Sequence, residues 1–316
     1  MTRPGANKPS RCCANWASMN STTLPLVCRI GSRNYRWAER TLVMGIVNVT
    51  PDSFSGDGLA TDDRVVERAV AQGLAFVEDG ADILDVGGES TRPGAEALDR
   101  ACEIARVLPV IEALRRHTDA PISIDTYKAS VAKAALAAGA DMVNDVWGLQ
   151  MDPDMAPLVA ECGVPLVIMH NRSRPKDASQ EERLGGRYVG VQYDDLLADV
   201  CRELSAQVAT AQRAGIERDN IIIDPGIGFG KTVEQNLTLI NRLDVLRALG
   251  LPILLGPSRK SFIGYTLDVP PDQRVEGTAA AVCVGIVRGA ANVIRVHDVR
   301  VMSRVARMTD AILRAG

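Results

Sequence analysis

Polar and charged side chains recur where short apolar runs of this sequence end. Carboxylates and an amide there can pair with the N–H donors of a flat heterocycle, such as a 2-amino-4-oxo-pyrimidine edge, while a lysine meets its acceptor side. Arginine, histidine and threonine donors suit a diphosphate, and an asparagine oxygen suits a metal ion. The residues concerned are Asn48, Thr91, Asp125, Asn144, Asp224, Lys260, Arg295 and His297. Arg295 and His297 alternate along one run, so both should face the same side of a strand.

Each position also has an ordinary structural interpretation. An Asp or Asn after a strand often caps the next helix, and for Asp125, Asn144 or Asp224 taken singly this interpretation is as good as a functional one. Asp224 also precedes a Pro-Gly pair, where a turn is expected anyway. A lone His170 at a strand end is expected to be a hydrogen-bonded structural residue. The convergence of many such residues, with Arg and Lys among them, favours a functional site.

The elements that must position these residues alternate along the chain. Near-continuous apolar runs are separated by Ala-rich amphipathic stretches that end near Gly, which predicts parallel strands covered by helices. Eight such units and a last helix from about Val299 to Arg314 predict an α/β fold, a single-domain (β/α)8 TIM barrel. A doubly wound sheet is the alternative, but no G-x-G-x-x-G turn follows the first strand. The predicted strand regions are 41–49, 81–88, 121–126, 142–146, 165–170, 220–226, 252–257 and 292–299.

Composition excludes several function classes. Of 316 residues, 46% are hydrophobic and only 4% aromatic, so the core must be aliphatic. A net charge of -3 and the lack of a Lys/Arg stripe argue against nucleic-acid binding. No apolar run reaches the roughly 18 residues needed to span a membrane. Seven scattered cysteines without a C-x-x-C pair predict free thiols in a reducing compartment, here the cytoplasm.

Two segments are expected to lie outside regular structure. No acidic residue precedes Glu39 and no apolar signal core is present, so we predict a disordered N-terminal extension over 1–34 and a barrel domain over 35–316. A transit-like arm, or a true start at Met19, is the alternative. The long stretch 171–192 after the fifth strand is predicted to be a mobile loop.

Several motifs resemble the dihydropteroate synthase family. The two most specific are MGIVNVTPDSFSGDG at 44–58 and GADILDVGGESTRPGA at 80–95, which look like the family's signature segments. The likeness runs from about Tyr35 to the C-terminus. Further matching segments are 123–149, 224–236, 254–264 and 289–299.

The resemblance implies a fold, a reaction and a set of roles. The family is a (β/α)8 barrel that joins 6-hydroxymethyl-7,8-dihydropterin diphosphate to p-aminobenzoate with Mg2+, and a homodimer is its expected assembly. By matching positions, the pterin would be bound by Asp125, Asn144, Asp224 and Lys260. Diphosphate would be held by Thr91, Arg295 and His297, with Asn48 on Mg2+. The p-aminobenzoate would be bordered by Phe54, Thr91, Arg92, Pro93, Phe229 and Ser261. Residues 50–59 and 90–99 would be two mobile loops over the diphosphate.

The expected mechanism is a dissociative, SN1-like substitution without a covalent intermediate. An arylamine is a weak nucleophile, so the barrier is best lowered by weakening the C–O bond to diphosphate with Mg2+, Arg295 and His297. Many relatives read Asp-Gly-Gly where this chain has Gly56-Asp57-Gly58. We predict that Asp57, and not Asp52, faces the developing cation, because the flanking glycines permit a rotated backbone. The predicted catalytic residues are thus Lys260, Arg295, His297 and Asp57.

Two other functions compete with this one. A methyltetrahydrofolate-type methyltransferase shares a pterin-holding barrel but handles no diphosphate, so the Ser-Arg-Lys stretch at 258–260 argues against it. A catalytically silent paralogue that binds pterin is the other alternative. The complete set of strand-end residues argues against that one.

Overall fold

The computed structural model describes residues 27–37, 39–49, 62–90, 98–189 and 191–315. The strands are β1 (Val27–Ile30), β2 (Arg33–Arg36), β3 (Leu42–Asn48), β4 (Ile83–Gly87), β5 (Ile122–Asp125), β6 (Met142–Asp145), β7 (Leu166–Met169), β8 (Ala178–Ser179), β9 (Arg187–Tyr188), β10 (Ile221–Asp224), β11 (Leu254–Leu255) and β12 (Val293–Val296). The helices are α1 (Asp62–Glu78), α2 (Arg100–His117), α3 (Ala129–Ala137), α4 (Met155–Cys162), α5 (Leu196–Arg213), α6 (Val233–Asn241), α7 (Ser261–Leu267), α8 (Val275–Val287) and α9 (Val299–Arg314).

Eight of the strands form one parallel sheet in the order β10-β7-β6-β5-β4-β3-β12-β11. A parallel bridge between Ile223 and Ile253 joins its two ends, and the Ile223 amide donates to the Pro252 carbonyl over 2.9 Å. The strands are buried on both faces, as their near-continuous apolar sequences require. The predicted (β/α)8 barrel and its eight strand regions are confirmed.

The core has two parts that follow the alternation of the strands. Side chains such as Val43, Leu84 and Ile124 pack outward against the helices. A second cluster fills the N-terminal half of the barrel and consists of Leu42, Met44, Ile83, Met142, Val167, Ile222, Leu254 and Val293, with Cys28, Ile30, Tyr35 and Trp37. The last four belong to, or directly follow, the antiparallel hairpin β1–β2. This hairpin therefore packs on the N-terminal end of the barrel.

The hairpin corrects the predicted domain boundary. The division between residues 34 and 35 falls inside the hairpin, whose Cys28 and Ile30 are buried with the barrel interior. Only one side of β1 is buried, so its four residues carry too little periodic signal to mark a strand in the sequence. Residues 1–26 lie outside the described residues.

The stretch after β7, which is predicted to be a mobile loop, has some regular secondary structure. It contains the hairpin β8–β9, with Leu184 and Tyr188 buried. The Arg274 guanidinium donates to the Leu184 carbonyl over 2.9 Å, and the Tyr265 hydroxyl donates to the Gly185 carbonyl over 3.1 Å. These contacts attach the stretch to the segments before α8 and within α7.

Two predictions from composition can be followed in the described residues. The five cysteines among them are free thiols, as predicted. None of the helices in the described ranges is long and apolar enough to cross a membrane.

Candidate active site

Four strands deliver a connected group of polar side chains to the C-terminal end of the barrel. At its centre lies Asp85 of β4, which is fully buried. The Arg295 Nε donates to Asp85 Oδ2 over 2.5 Å, and the Asn144 Nδ2 donates to the same oxygen over 3.0 Å. A second Arg295 nitrogen, Nη2, donates to Asp125 Oδ2. Strands β4, β5, β6 and β12 are thus joined by one hydrogen-bonded group.

Asp85 is not among the site residues predicted from the sequence. It lies inside an apolar run, whereas the predicted site residues lie at or after the ends of such runs. The available signal was the carboxylate itself, since a buried charge must be paired.

One guanidinium between two carboxylates leaves an excess of negative charge. Burial raises the pKa of Asp125 to about 7, Arg295 opposes this rise, and Asp85 adds to it. Among the described residues, neither Asp125 Oδ1 nor Asp85 Oδ1 has a hydrogen-bond partner although both atoms are buried. Buried acceptors of this kind suit a ligand that brings N–H donors.

A second group lies beside the first and combines Asp224 with Lys260. Asp224 Oδ1 accepts the Gly226 amide over 2.7 Å, and Lys260 Nζ donates to the Ile227 carbonyl. A Cβ built on Gly256 would lie 3.9 Å from Lys260 Nζ and 4.0 Å from Asp224 Oδ2, so both side chains approach the same open backbone. Burial raises the pKa of Asp224 against the effect of Lys260, and burial lowers the pKa of Lys260 to about 8.

An aromatic ring borders this second group. Lys260 Nζ lies 4.5 Å from the centroid of the Phe229 ring. Ser261 follows Lys260 directly as the first residue of α7. Three residues assigned to two neighbouring substrates by resemblance are therefore adjacent.

Arg295 and His297 make different contacts among the described residues. Arg295 is engaged with the two carboxylates, whereas His297 Nδ1 lies 3.0 Å from Ser258 Oγ and the His297 amide donates to that oxygen over 3.1 Å. Arg295 and His297 both lie at the site end of β12, but their described partners differ. Their assignment to diphosphate stays a prediction.

Asn48 ends β3 opposite Gly87 of β4 and is half-buried. Among the described residues, no group of three or more His, Cys, Asp or Glu side chains could hold a metal ion. Mg2+ commonly takes only one or two protein oxygens and completes its shell with water and substrate phosphates. A single Asn48 oxygen at this end of the barrel is therefore compatible with Mg2+ that arrives with a diphosphate.

Two other strand-end residues make hydrogen bonds within the protein. Asp145 accepts the amides of Trp147 and Leu149 over 2.9 and 2.7 Å and so fixes the turn after β6. His170 hydrogen-bonds to Glu203 and Lys231, which confirms its predicted structural role. In contrast, no described helix is capped by Asp125 or Asn144, so the capping interpretation does not explain them.

Several predicted site residues lie outside the described residues, and their roles stay predictions. They are Phe54, Asp57, Thr91, Arg92 and Pro93, together with Asp52. The flanks of the second segment are nevertheless described. Glu89 accepts the Leu98 amide over 3.1 Å, and Lys128 Nζ donates both to Glu89 and to the Leu98 carbonyl.

Comparison with known proteins shows the family of this chain. The profile of the pterin-binding enzyme family matches residues 44–297. Dihydropteroate synthase of Bacillus subtilis is 49% identical over 280 residues, which cover 89% of this chain and 91% of that protein. The chain belongs to the dihydropteroate synthase family. The enzyme of Clostridium beijerinckii is 46% identical over 90% of this chain and 99% of its own length.

Solved structures of the family have the same fold. Dihydropteroate synthase of Xanthomonas albilineans with 4-aminobenzoic acid is 44% identical, covers 92% of this chain and 99% of its own, and has a TM-score of 0.81. The same enzyme in complex with 7,8-dihydropteroate is 41% identical and has a TM-score of 0.78. The match covers 91% of this chain and 98% of that one. The family predicted from the motifs is confirmed, and these relatives argue against the methyltransferase alternative.

Proposed function

We propose that this protein condenses 6-hydroxymethyl-7,8-dihydropterin diphosphate with p-aminobenzoate, forming 7,8-dihydropteroate and diphosphate in folate synthesis. The observation that carries the proposal is a pair of carboxylates, the buried Asp224 and the largely buried Asp125, each beside a cation at the C-terminal end of the barrel. Family relatives crystallised with 4-aminobenzoic acid and with 7,8-dihydropteroate support this choice of second substrate and product.

The pterin ring is proposed to lie between the two polar groups. Asp125 Oδ1 and Asp224 accept N–H donors of the 2-amino-4-oxo edge. Asn144 donates its Nδ2 to Asp85, so its carbonyl oxygen is the atom that remains to accept a further ring N–H. Lys260 donates to an acceptor on the ring.

The diphosphate is proposed to lie toward β12 and β3. His297, Thr91 and the N–H groups of Arg295 that are not directed at carboxylates would donate to its oxygens. Asn48 would hold Mg2+, which neutralises charge on the departing diphosphate when bound. Phe229 and Ser261 border the arylamine.

The reaction then exchanges one bond for another. The C–O bond to diphosphate breaks, the arylamine nitrogen bonds to the exocyclic carbon, and the nitrogen loses one proton. The electron-rich dihydropterin stabilises the intermediate positive charge, which is why no covalent enzyme intermediate is needed. Cations around the leaving group stabilise the transition state more than the ground state.

The proposal is tested by incubating the purified protein with both substrates, with and without Mg2+, and separating 7,8-dihydropteroate by chromatography. Product that forms only with both substrates, and that is lost on chelation of Mg2+, is the expected result. Pterin binding without product would indicate the silent paralogue, and a corrinoid requirement would indicate the methyltransferase.

We propose a cytoplasmic homodimer. The helices α8 and α9 pack together and expose apolar side chains at regular helical spacing, namely Val284, Val287, Val301, Met308 and Ile312. An exposed apolar face of this kind suits an isologous contact between two copies. Sedimentation of Met308→Lys/Ile312→Lys should give a monomer, whereas Leu237→Lys, an exposed apolar residue on α6, should leave the dimer intact.

A further inference from the structure

A buried lysine outside the pterin-facing residues holds the loop between β10 and α6. Lys231 is 2% exposed. Its Nζ lies 3.0 Å from each of three acceptors, the Gly226 carbonyl, the Phe229 carbonyl and His170 Nδ1. An ammonium group has three hydrogens and no lone pair, so these partners use its full donor capacity.

A chain of polar contacts through His170, Glu203 and Arg172 holds the Lys231 ammonium in place. His170 Nε2 lies 3.0 Å from Glu203 Oε2, and Glu203 in turn accepts from Arg172 Nε over 2.9 Å. Burial lowers the pKa of His170 to about 4, so its ring is neutral at pH 7. The consistent tautomer carries its proton on Nε2, which donates to Glu203, and leaves Nδ1 to accept from Lys231.

The front of the same loop contacts the proposed pterin and p-aminobenzoate residues. The Gly226 amide donates to Asp224 Oδ1 over 2.7 Å, and the Ile227 carbonyl accepts from Lys260. The Phe229 ring lies 4.5 Å from Lys260 Nζ. Three site groups therefore depend on where this loop lies.

Close packing restricts the loop backbone while Lys231 binds the loop carbonyls. Gly226 has a φ of +69°, and a Cβ there would lie 1.9 Å from the His170 carbonyl oxygen. At Gly230, with a φ of +59°, a Cβ would lie 2.4 Å from the Arg172 carbonyl carbon. The loop backbone thus lies directly against the segment after β7, and Lys231 closes the contact from inside.

We infer that Lys231 is a positioning residue for the reaction, which sets the 225–231 loop so that Asp224, Lys260 and Phe229 meet the two substrates. This inference rests on the proposed function. Lys231 touches neither substrate in this arrangement and acts through the loop carbonyls. Burying an ammonium group is costly, and burial lowers the pKa of Lys231 to about 7, so stability alone would favour an apolar side chain here.

The first test is Lys231→Met, which keeps an unbranched side chain, one atom shorter, and removes the donors. We expect the KM for both substrates to rise between about tenfold and a hundredfold, measured per folded molecule, because a displacement of about 1 Å at a site can cost that much. Lys133→Met, on the exposed face of α3, is the matched control and should keep wild-type KM values.

A second pair of variants separates positioning from folding. His170→Asn keeps an acceptor for Lys231 and should retain KM values within about threefold of wild type, whereas His170→Leu removes it and should raise them as Lys231→Met does. If Lys231→Met does not fold, this pair decides the question. Wild-type KM values in folded Lys231→Met, or equal values in the two His170 variants, would overturn the inference alone. A wild-type protein without turnover would overturn the proposed function, and the inference with it.

Discussion

At the scale of single residues, the charge balance around Arg295 sets how the proposed pterin site responds to pH. Arg295 is shared between Asp85 and Asp125, so one carboxylate charge is not neutralised by it. The Asp125 pKa of about 7 and the Lys260 pKa of about 8 place both titrations near neutrality. The Asp125 carboxylate and the Lys260 ammonium, the forms proposed to bind the pterin, coexist best in a narrow pH range.

We expect the affinity for 6-hydroxymethyl-7,8-dihydropterin to peak between pH 7 and 8. As the pH falls through the Asp125 pKa, the carboxylate is protonated and the affinity should decrease by up to about tenfold per pH unit. As the pH rises through the Lys260 pKa, the ammonium charge is lost and the affinity decreases again. Calorimetry between about pH 5.5 and 9.5 measures this, and the ligand has no phosphate to titrate. A flat profile would contradict the assignment of both residues.

Asp85→Asn should move the acid limb of that profile to lower pH. Asp85 raises the Asp125 pKa by charge repulsion, and the amide keeps an oxygen that can accept from Asn144. Asp119→Asn, at an exposed position, is the control and should leave the limb unchanged. If the limb does not move in Asp85→Asn, the two carboxylates are not coupled as described.

At the scale of elements, both flanks of the second signature segment are held by one charged cluster. Lys128, before α3, binds Glu89 after β4 and Glu103 of α2, and it also reaches the Leu98 carbonyl. The residues between these flanks include Thr91, Arg92 and Pro93, which are predicted to border p-aminobenzoate. The cluster therefore sets where that segment leaves and rejoins the barrel.

Glu89→Gln should weaken p-aminobenzoate binding while pterin binding is retained. The amide oxygen cannot accept from the Leu98 amide and Lys128 with the strength of a carboxylate, so the flanks separate. We expect the KM for p-aminobenzoate to rise roughly tenfold, equivalent to about 1.4 kcal/mol. Glu112→Gln on the exposed side of α2 serves as the control. An equal loss of pterin and p-aminobenzoate affinity would indicate general damage to the barrel instead.

The repeated strand–helix units and the polar residues at the ends of the strands could be predicted from the sequence. Strand β10 could be predicted because Ile221 to Ile223 form an uninterrupted apolar run that Asp224 ends. Asp85 was missed because it interrupts an apolar run, and Lys231 because a loop lysine is ordinarily exposed. Burial of a charge inside a strand or loop depends on partners far away in sequence, such as Arg295 for Asp85, and local patterns do not report such partners.

At the scale of the whole molecule, the N-terminal hairpin completes the barrel interior. Deleting residues 1–26 should leave the melting temperature and turnover unchanged, because that stretch has no core-period pattern. Deleting 1–34 removes β1 with its buried Cys28 and Ile30, and should cost about 3 kcal/mol of stability. Calorimetric melting at equal protein concentration compares the two. If the longer deletion melts as the full chain does, the hairpin does not contribute to the core.

The barrel closes between β10 and β11 through little strand pairing. Strand β11 has only two residues, and a single bridge joins Ile223 to Ile253 there. Asp224 ends β10 and Lys260 follows β11, so a pterin bound by both residues would connect the two strands. Ligand at a hundred times its Kd would add about 2.7 kcal/mol to global stability. Hydrogen exchange at the Ile223 amide, which donates to the Pro252 carbonyl across this closure, should slow with it. The bound substrate would then stabilise the closed form of the barrel.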